Sequence, residues 1–247
     1  MEYYSFILLF IAGIAAGFIN VFAGGGTTLT LPLLIFFGLD GTVANGTNRI
    51  AILVQNIFAV YSFRKEKYSR FKVSLKLALF TLPGAIIGAV IATNISGELF
   101  EKILAIVMIG IMITMMIPQK HKSYDRNDNS IPVKVYIAMF VIGFYGGFMQ
   151  VGVGLLLMAA LHHLLKENLV YVNVHKVFII FLYSIPTILV FIISNNVDWL
   201  FGLCLAAGHA TGAWWAAKLN VRKGEKFIKY VMIVAMLIIS LKLLDVF

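Results

Sequence analysis

The chain has 247 residues, 61% hydrophobic and 13% charged, with a mean hydropathy of +0.94. A soluble domain is typically about a quarter charged, so this chain lacks the polar groups to cover a water-facing surface, and an all-α integral membrane protein is expected. Its net charge of +9 does not point to nucleic acid, because the basic residues gather in short loops between apolar runs, as topology signals do.

Apolar runs occupy 6–22, 27–38, 43–63, 73–93 and 99–117 before the polar stretch 118–132, and 133–149, 151–165, 172–193, 199–217 and 227–247 after it. This divides the chain into a first membrane repeat, 1–117, a polar cytoplasmic linker, 118–132, and a second membrane repeat, 133–247. The first run carries Glu2 and no basic residue, so it reads as a retained membrane segment rather than a signal peptide. The single cysteine, Cys204, lies inside an apolar run. That rules out a disulfide framework or a thiolate metal site, and neither a metal nor another cofactor is expected.

The halves repeat one another. GFINVFAGGGTTLTLP, 17–32, aligns without gaps on GFYGGFMQVGVGLLLM, 143–158. Asn48 and Arg49 then fall on His175 and Lys176, Asn56 falls on Tyr183, PGAIIG at 83–88 on AGHATG at 207–212, and Glu101-Lys102 on Glu225-Lys226. These landmarks, in one order near one offset, mark a duplication.

Charge placement orients the repeats. Were 6–38 and 133–165 single long spans, the basic residues would divide evenly between the two faces. Broken at Gly24–Gly26 and at Gln150–Gly154 into re-entrant hairpins, they invert the halves and put 17 of the 20 basic residues on one face, leaving only Arg49, Lys102 and Lys242 opposite. The positive-inside bias makes the richer face cytoplasmic and puts both termini outside. The expected fold is therefore two inverted repeats, each a broken re-entrant helical hairpin plus three transmembrane helices.

Irregular backbone at membrane depth is tolerated only against protein or a water-filled cavity. A helix restarting after Gly24, Gly25 and Gly26 would turn amides and its positive dipole end toward the break, an arrangement suited to anions, with the hydroxyls of Thr27 and Thr28 beside them. Gln150 and Gly152 hold the matching break. Alternatively the glycines only let helices approach closely, which is the reading given to Gly84, Gly88, Gly208 and Gly212. In the next run Asn45, Asn48, Arg49 and Asn56 share one helix face. Arg49 either points inward, where its planar fork suits an oxyanion, or snorkels to headgroups. His175 and Lys176 match it in the second half, so a cation from each repeat would serve an anionic guest. His162 and His163 read as interfacial, and His209 as a packed polar group in preference to a proton-coupling one.

On these residues the chain resembles the sulfite exporter TauE/SafE family, in AGGG at 23–26, in GTNR at 46–49, and in the second-half run from Gly143, with the likeness covering nearly the whole chain. The resemblance implies transport of sulfite, sulfonates or related small organic anions across the bacterial plasma membrane. It assigns Gly24, Gly25, Gly26, Thr47, Asn48 and Arg49 to the first-half signature. Asn20 stands where the family commonly has an acid, which removes proton coupling through that position. Arg49 replaces a common lysine, Thr27 a glycine, and Gln150 and Val151 the usual Gly-Pro.

The expected function is a multi-pass permease of the bacterial inner membrane for a small sulfur-containing oxyanion, by alternating access, with no enzyme activity. Its partners are the lipid bilayer and the anionic substrate, and a homo-oligomer stays open. A membrane-embedded enzyme or assembly factor is the alternative class, but no nucleophile, acid–base pair or metal set is evident for it.

Overall fold

The computed structural model describes the backbone of residues 3–68, 70–116 and 131–243, and the side chains of 5–68, 70–111 and 131–223. Most of the 118–132 linker therefore lies outside the described residues. All regular structure among them is helical: α1 Tyr3–Ala23, α2 Thr27–Phe36, α3 Gly41–Lys65, α4 Phe71–Thr93, α5 Gly97–Met116, α6 Val133–Phe148, α7 Val153–His163, α8 Leu169–Ile193 and α9 Trp199–Leu243.

Among the described residues, three helices are long and apolar enough to cross a membrane: Ser5–Ala23, Phe71–Thr93 and Leu169–Ile193. The 25-residue α3 is long enough but polar along one side. The polarity of the molecule is inside out. Ile106, Leu79, Trp215 and Leu203 are more than half exposed, whereas Asn45, Asn48, Arg49, Gln55, Asn56 and Lys176 are buried. Lipid accepts the apolar exterior, and the polar groups are left to satisfy one another within.

Both expected breaks are present, between α1 and α2 and between α6 and α7. Even the helix caps correspond across the halves. Asp40 Oδ1 accepts from Thr42 N at the start of α3 (2.9 Å), and Asn168 Oδ1 accepts from Tyr171 N at the start of α8 (3.1 Å). Such caps hold the first amides of each helix.

One expectation fails. The runs at 199–217 and 227–247 are not separated by a loop: α9 continues through 218–226 for 45 residues, a length of about 68 Å. That stretch contains no proline, and lysine and arginine are good helix formers, so polarity alone does not interrupt the helix.

Packing crosses between the halves. α1 lies along α9, and α4 lies along α6; α3 packs on α9, and α8 on α4; α3 and α8 meet in the middle. The result is two bundles, α1/α3/α9 and α6/α8/α4, each assembled from both halves of the chain. Small-residue stripes allow the tight crossings. Gly84 and Gly88 face the α6 backbone at Phe140 and Phe144, and Gly208 and Gly212 face α1 at Phe10 and Ile14. A Cβ on Gly88 would lie 2.0 Å from Phe144 O. Gly88→Val should therefore separate α4 from α6 and destabilise the protein by about 1–3 kcal/mol, read as a lower thermal unfolding midpoint in detergent; an unchanged midpoint would contradict this packing.

Candidate functional site: a polar cavity where the two broken helices meet

The two breaks touch. Gly24, at φ +78°, passes so close to α7 that a Cβ on it would lie 2.3 Å from the Gly154 carbonyl carbon. Gln150, which aligns with Gly24, also takes a left-handed backbone, at φ +66°. A non-glycine residue there carries a cost of order 1–3 kcal/mol, and it persists because the break has to turn at that point.

Beside this contact lies a small cavity lined by Asn20, Thr27, Ile52, Gln55, Asn56, Gln150, Val153, Gly154, Lys176 and Ile180. Both halves contribute. Asn20, at the end of α1, spans the first break: its Oδ1 accepts from Gly26 N at 2.8 Å, and its Nδ2 faces Thr27 Oγ1 at 3.4 Å and Gln55 Oε1 at 3.1 Å. Thr28 N and Leu29 N are bonded to Gly25 O and Gly26 O, and Thr28 Oγ1 donates to Gly25 O at 2.6 Å. The amides of Gly26, Thr28 and Leu29 are thus largely used internally, and side chains supply the polar wall. Across the cavity, Tyr183 Oη bonds Gln150 Oε1 at 3.1 Å.

The two cations act reciprocally. Lys176, on α8, is 1% exposed and donates to Asn20 O (3.0 Å), Val21 O (2.7 Å) and Asn173 Oδ1 (2.7 Å). Those two carbonyls lie in the last turn of α1, where a positive charge offsets the negative dipole end. Arg49, on α3, is equally buried and donates to Gly146 O (3.3 Å) and Gly147 O in the last turn of α6, with its guanidinium 4.5 Å above the Phe191 ring. Each half of the chain therefore closes the broken helix of the other. Arg49 neither snorkels nor lines the cavity; Lys176 does line it, and among the described residues no carboxylate pairs with it.

The remaining sequence candidates lie around this centre. Thr47 Oγ1 accepts from Asp198 N (2.8 Å), and Asn48 Oδ1 accepts from Thr30 Oγ1 (2.8 Å). Gly25 and Gly152 shape the breaks, Gly152 at φ +68°. His175 is directed elsewhere: its Nδ1 is 2.8 Å from Ser74 Oγ and its Nε2 3.8 Å from Glu167, which also pairs with Arg70 at 2.8 Å. Burial opposes ionisation of Glu167, yet the hydrogen bond with His175 and the charge of Arg70 hold its carboxyl below the ordinary value.

Two residues that the polar-face reading left out belong to the site. Gln55 stands seven positions after Asn48, hence about 20° from it around the helix, a signal that was present. His209 Nδ1 lies 2.8 Å from Gln55 Oε1, a contact that no local pattern announces. Among the described residues, no three His, Cys, Asp or Glu side chains gather as a metal set.

The profile of the family described as Sulfite exporter TauE/SafE matches residues 9–243. The probable membrane transporter protein ORF9 of Sinorhizobium sp is 26% identical, over 99% of this chain and 94% of its own length. The probable membrane transporter protein YfcA of Escherichia coli (strain K12) is 29% identical over 96% and 88%, and the probable membrane transporter protein YunE of Bacillus subtilis (strain 168) is 27% identical over 97% of both. No solved structure matches significantly.

Two outcomes follow from this geometry. At Gln150, glycine should keep the fold, whereas Gln150→Val, β-branched at positive φ, should lower stability by about 1–3 kcal/mol, measured by thermal unfolding; equal midpoints for the two variants would contradict the left-handed turn. Glu167, with its folded pKa depressed, contributes stability above its unfolded pKa of about 4.3, and that contribution is lost as pH falls through the lower folded value. Amide protection factors at residues 164–170 should therefore fall in the acid range below about pH 4, and less so in Glu167→Gln.

Proposed function

We propose, from the premise that the chain belongs to the sulfite exporter TauE/SafE family of membrane transporters, that it is a permease for a small sulfur-containing oxyanion, with the cavity between the two breaks as its binding site. The observation that carries this reading is Lys176: a fully buried cation against a polar cavity, met among the described residues by carbonyl and amide oxygens and the Met158 sulfur rather than by a carboxylate. A buried charge is expensive unless paired, and an anionic guest would complete the pair.

The rest of the wall supports the same guest. The Thr27 hydroxyl and the amides of Gln55 and Gln150 are neutral hydrogen-bond donors that contact an oxyanion without adding charge. Arg49 acts as a positioning residue in this scheme, holding the end of α6 so that Gln150 faces the cavity. His175 belongs to the Ser74–Glu167–Arg70 cluster and takes no direct part in binding.

Alternating access would pivot the bundle α1/α3/α9 against α6/α8/α4, with the seam at α3 and α8 opening to either face. The moving bodies are then bundles mixed from both repeats. The repeats are inverted in the bacterial inner membrane, with the basic stretches and the 118–132 linker cytoplasmic and the amino terminus outside, as the charge distribution favours; the unbroken α9 carries the chain toward the cytoplasmic side with no loop at 218–226 for a return span. Discontinuous helices near the bilayer midplane are the recurrent setting for such sites.

Tracer flux of sulfite, sulfoacetate, taurine and thiosulfate in proteoliposomes tests this directly. Wild type should show saturable flux and counterflow for at least one anion, and Lys176→Met should lower it about tenfold or more while keeping its size-exclusion profile. Flux no greater than in empty vesicles for every anion would overturn the reading.

A further inference from the structure

Gln55 and Asn56 stand side by side on α3 and both line the cavity. An amide side chain offers either an oxygen or an NH2 group, and which one faces a site is fixed only by the network behind it. Here that network begins at backbone atoms, whose roles are unambiguous.

Gly26 N–H can only donate, so the Asn20 atom 2.8 Å from it is Oδ1. Asn20 therefore turns Nδ2 toward Gln55, at 3.1 Å, and the Gln55 atom receiving it is Oε1. The same oxygen lies 2.8 Å from His209 Nδ1, which must carry the ring hydrogen. Gln55 Oε1 is thus held by two donors and its Nε2 is left for the cavity; among the described residues no protein group accepts from it. For Asn56 the anchor is Ile52 O, which can only accept. It takes Asn56 Nδ2 at 2.7 Å and leaves Oδ1 buried, with no hydrogen-bond partner among the described residues.

We propose that these neighbouring amides, fixed with opposite polarity, select an oxyanion that also carries one hydrogen-bond donor, such as a hydroxyl. Gln55 Nε2 takes the anionic end, whose charge the Lys176 ammonium balances, and Asn56 Oδ1 takes the donor. His209 is a positioning residue that keeps the Gln55 amide from turning over. A guest lacking the donor would leave Asn56 Oδ1 buried and unpaired when it expels water, the situation in which a binding site discriminates most strongly. This inference rests on the transport reading above and specifies its substrate class.

The test compares ethanesulfonate with its 2-hydroxy derivative as inhibitors of sulfite flux in proteoliposomes. Wild type should prefer the hydroxylated sulfonate about tenfold or more, and Asn56→Leu should bring the ratio close to one. His209→Leu should raise KM for sulfite with little change in kcat, and His209→Asn, which keeps a donor near the Nδ1 position, should restore KM. Equal inhibition by the two sulfonates in wild type, inhibition by neither, or a preference retained in Asn56→Leu would overturn the proposed selection. An unchanged KM in His209→Leu would remove the positioning role. The wild-type comparison requires no variant to fold. Sulfite flux with equal inhibition sinks this inference alone, whereas absence of any sulfite flux sinks the transport reading and this inference with it.

Discussion

Interrupting a helix at membrane depth leaves carbonyls that neither water nor lipid can satisfy, and the rest of this molecule is arranged around supplying their partners. Lys176 takes the last carbonyls of α1, and Arg49 takes those of α6. The cation comes from the other repeat in each case. Either half of the chain folded alone would have an uncapped broken helix and an unpaired buried cation, so the halves are held together by an exchange of charge for helix ends.

That exchange brings α3 and α8, which carry the two cations, into contact at the centre. Their polar faces meet beside the breaks, and the close passage of Gly24 over Gly154 brings the ends of four helices to one point. The cavity follows from these constraints: two polar helix faces cannot close completely over side chains already committed to capping. The two cations differ in one respect that matters for chemistry. Arg49 is roofed by the Phe191 ring, which removes it from the cavity, whereas Lys176 stays at the wall.

The glycine and alanine stripes contribute in another way. With little hydrophobic drive between helices in lipid, close backbone approach supplies the packing, and here it joins α4 to α6 and α9 to α1. The packed units of the fold are therefore bundles drawn from both halves of the chain, and the seam between them is where the polar residues lie.

The sequence by itself determined the membrane setting, the duplication, both helix breaks, and most of the polar wall. Asn20, Thr27, Asn56, Gln150 and Lys176 stand out because a polar group or a helix break inside an apolar run is costly in lipid unless protein or a cavity surrounds it. Gln55 was legible too, by its spacing from Asn48. Tertiary structure alone decided what each group faces. Arg49 and His175 look equivalent to Lys176 and Asn48 in the alignment, yet one is consumed by the carbonyls of α6 and the other by Ser74 and Glu167, because a side chain's partners are set by tertiary packing, and Gly146 and Ser74 stand about a hundred residues away in sequence. The same holds for His209 behind Gln55, and for α9, whose continuity through 218–226 reflects helix propensity that a polar loop signal conceals.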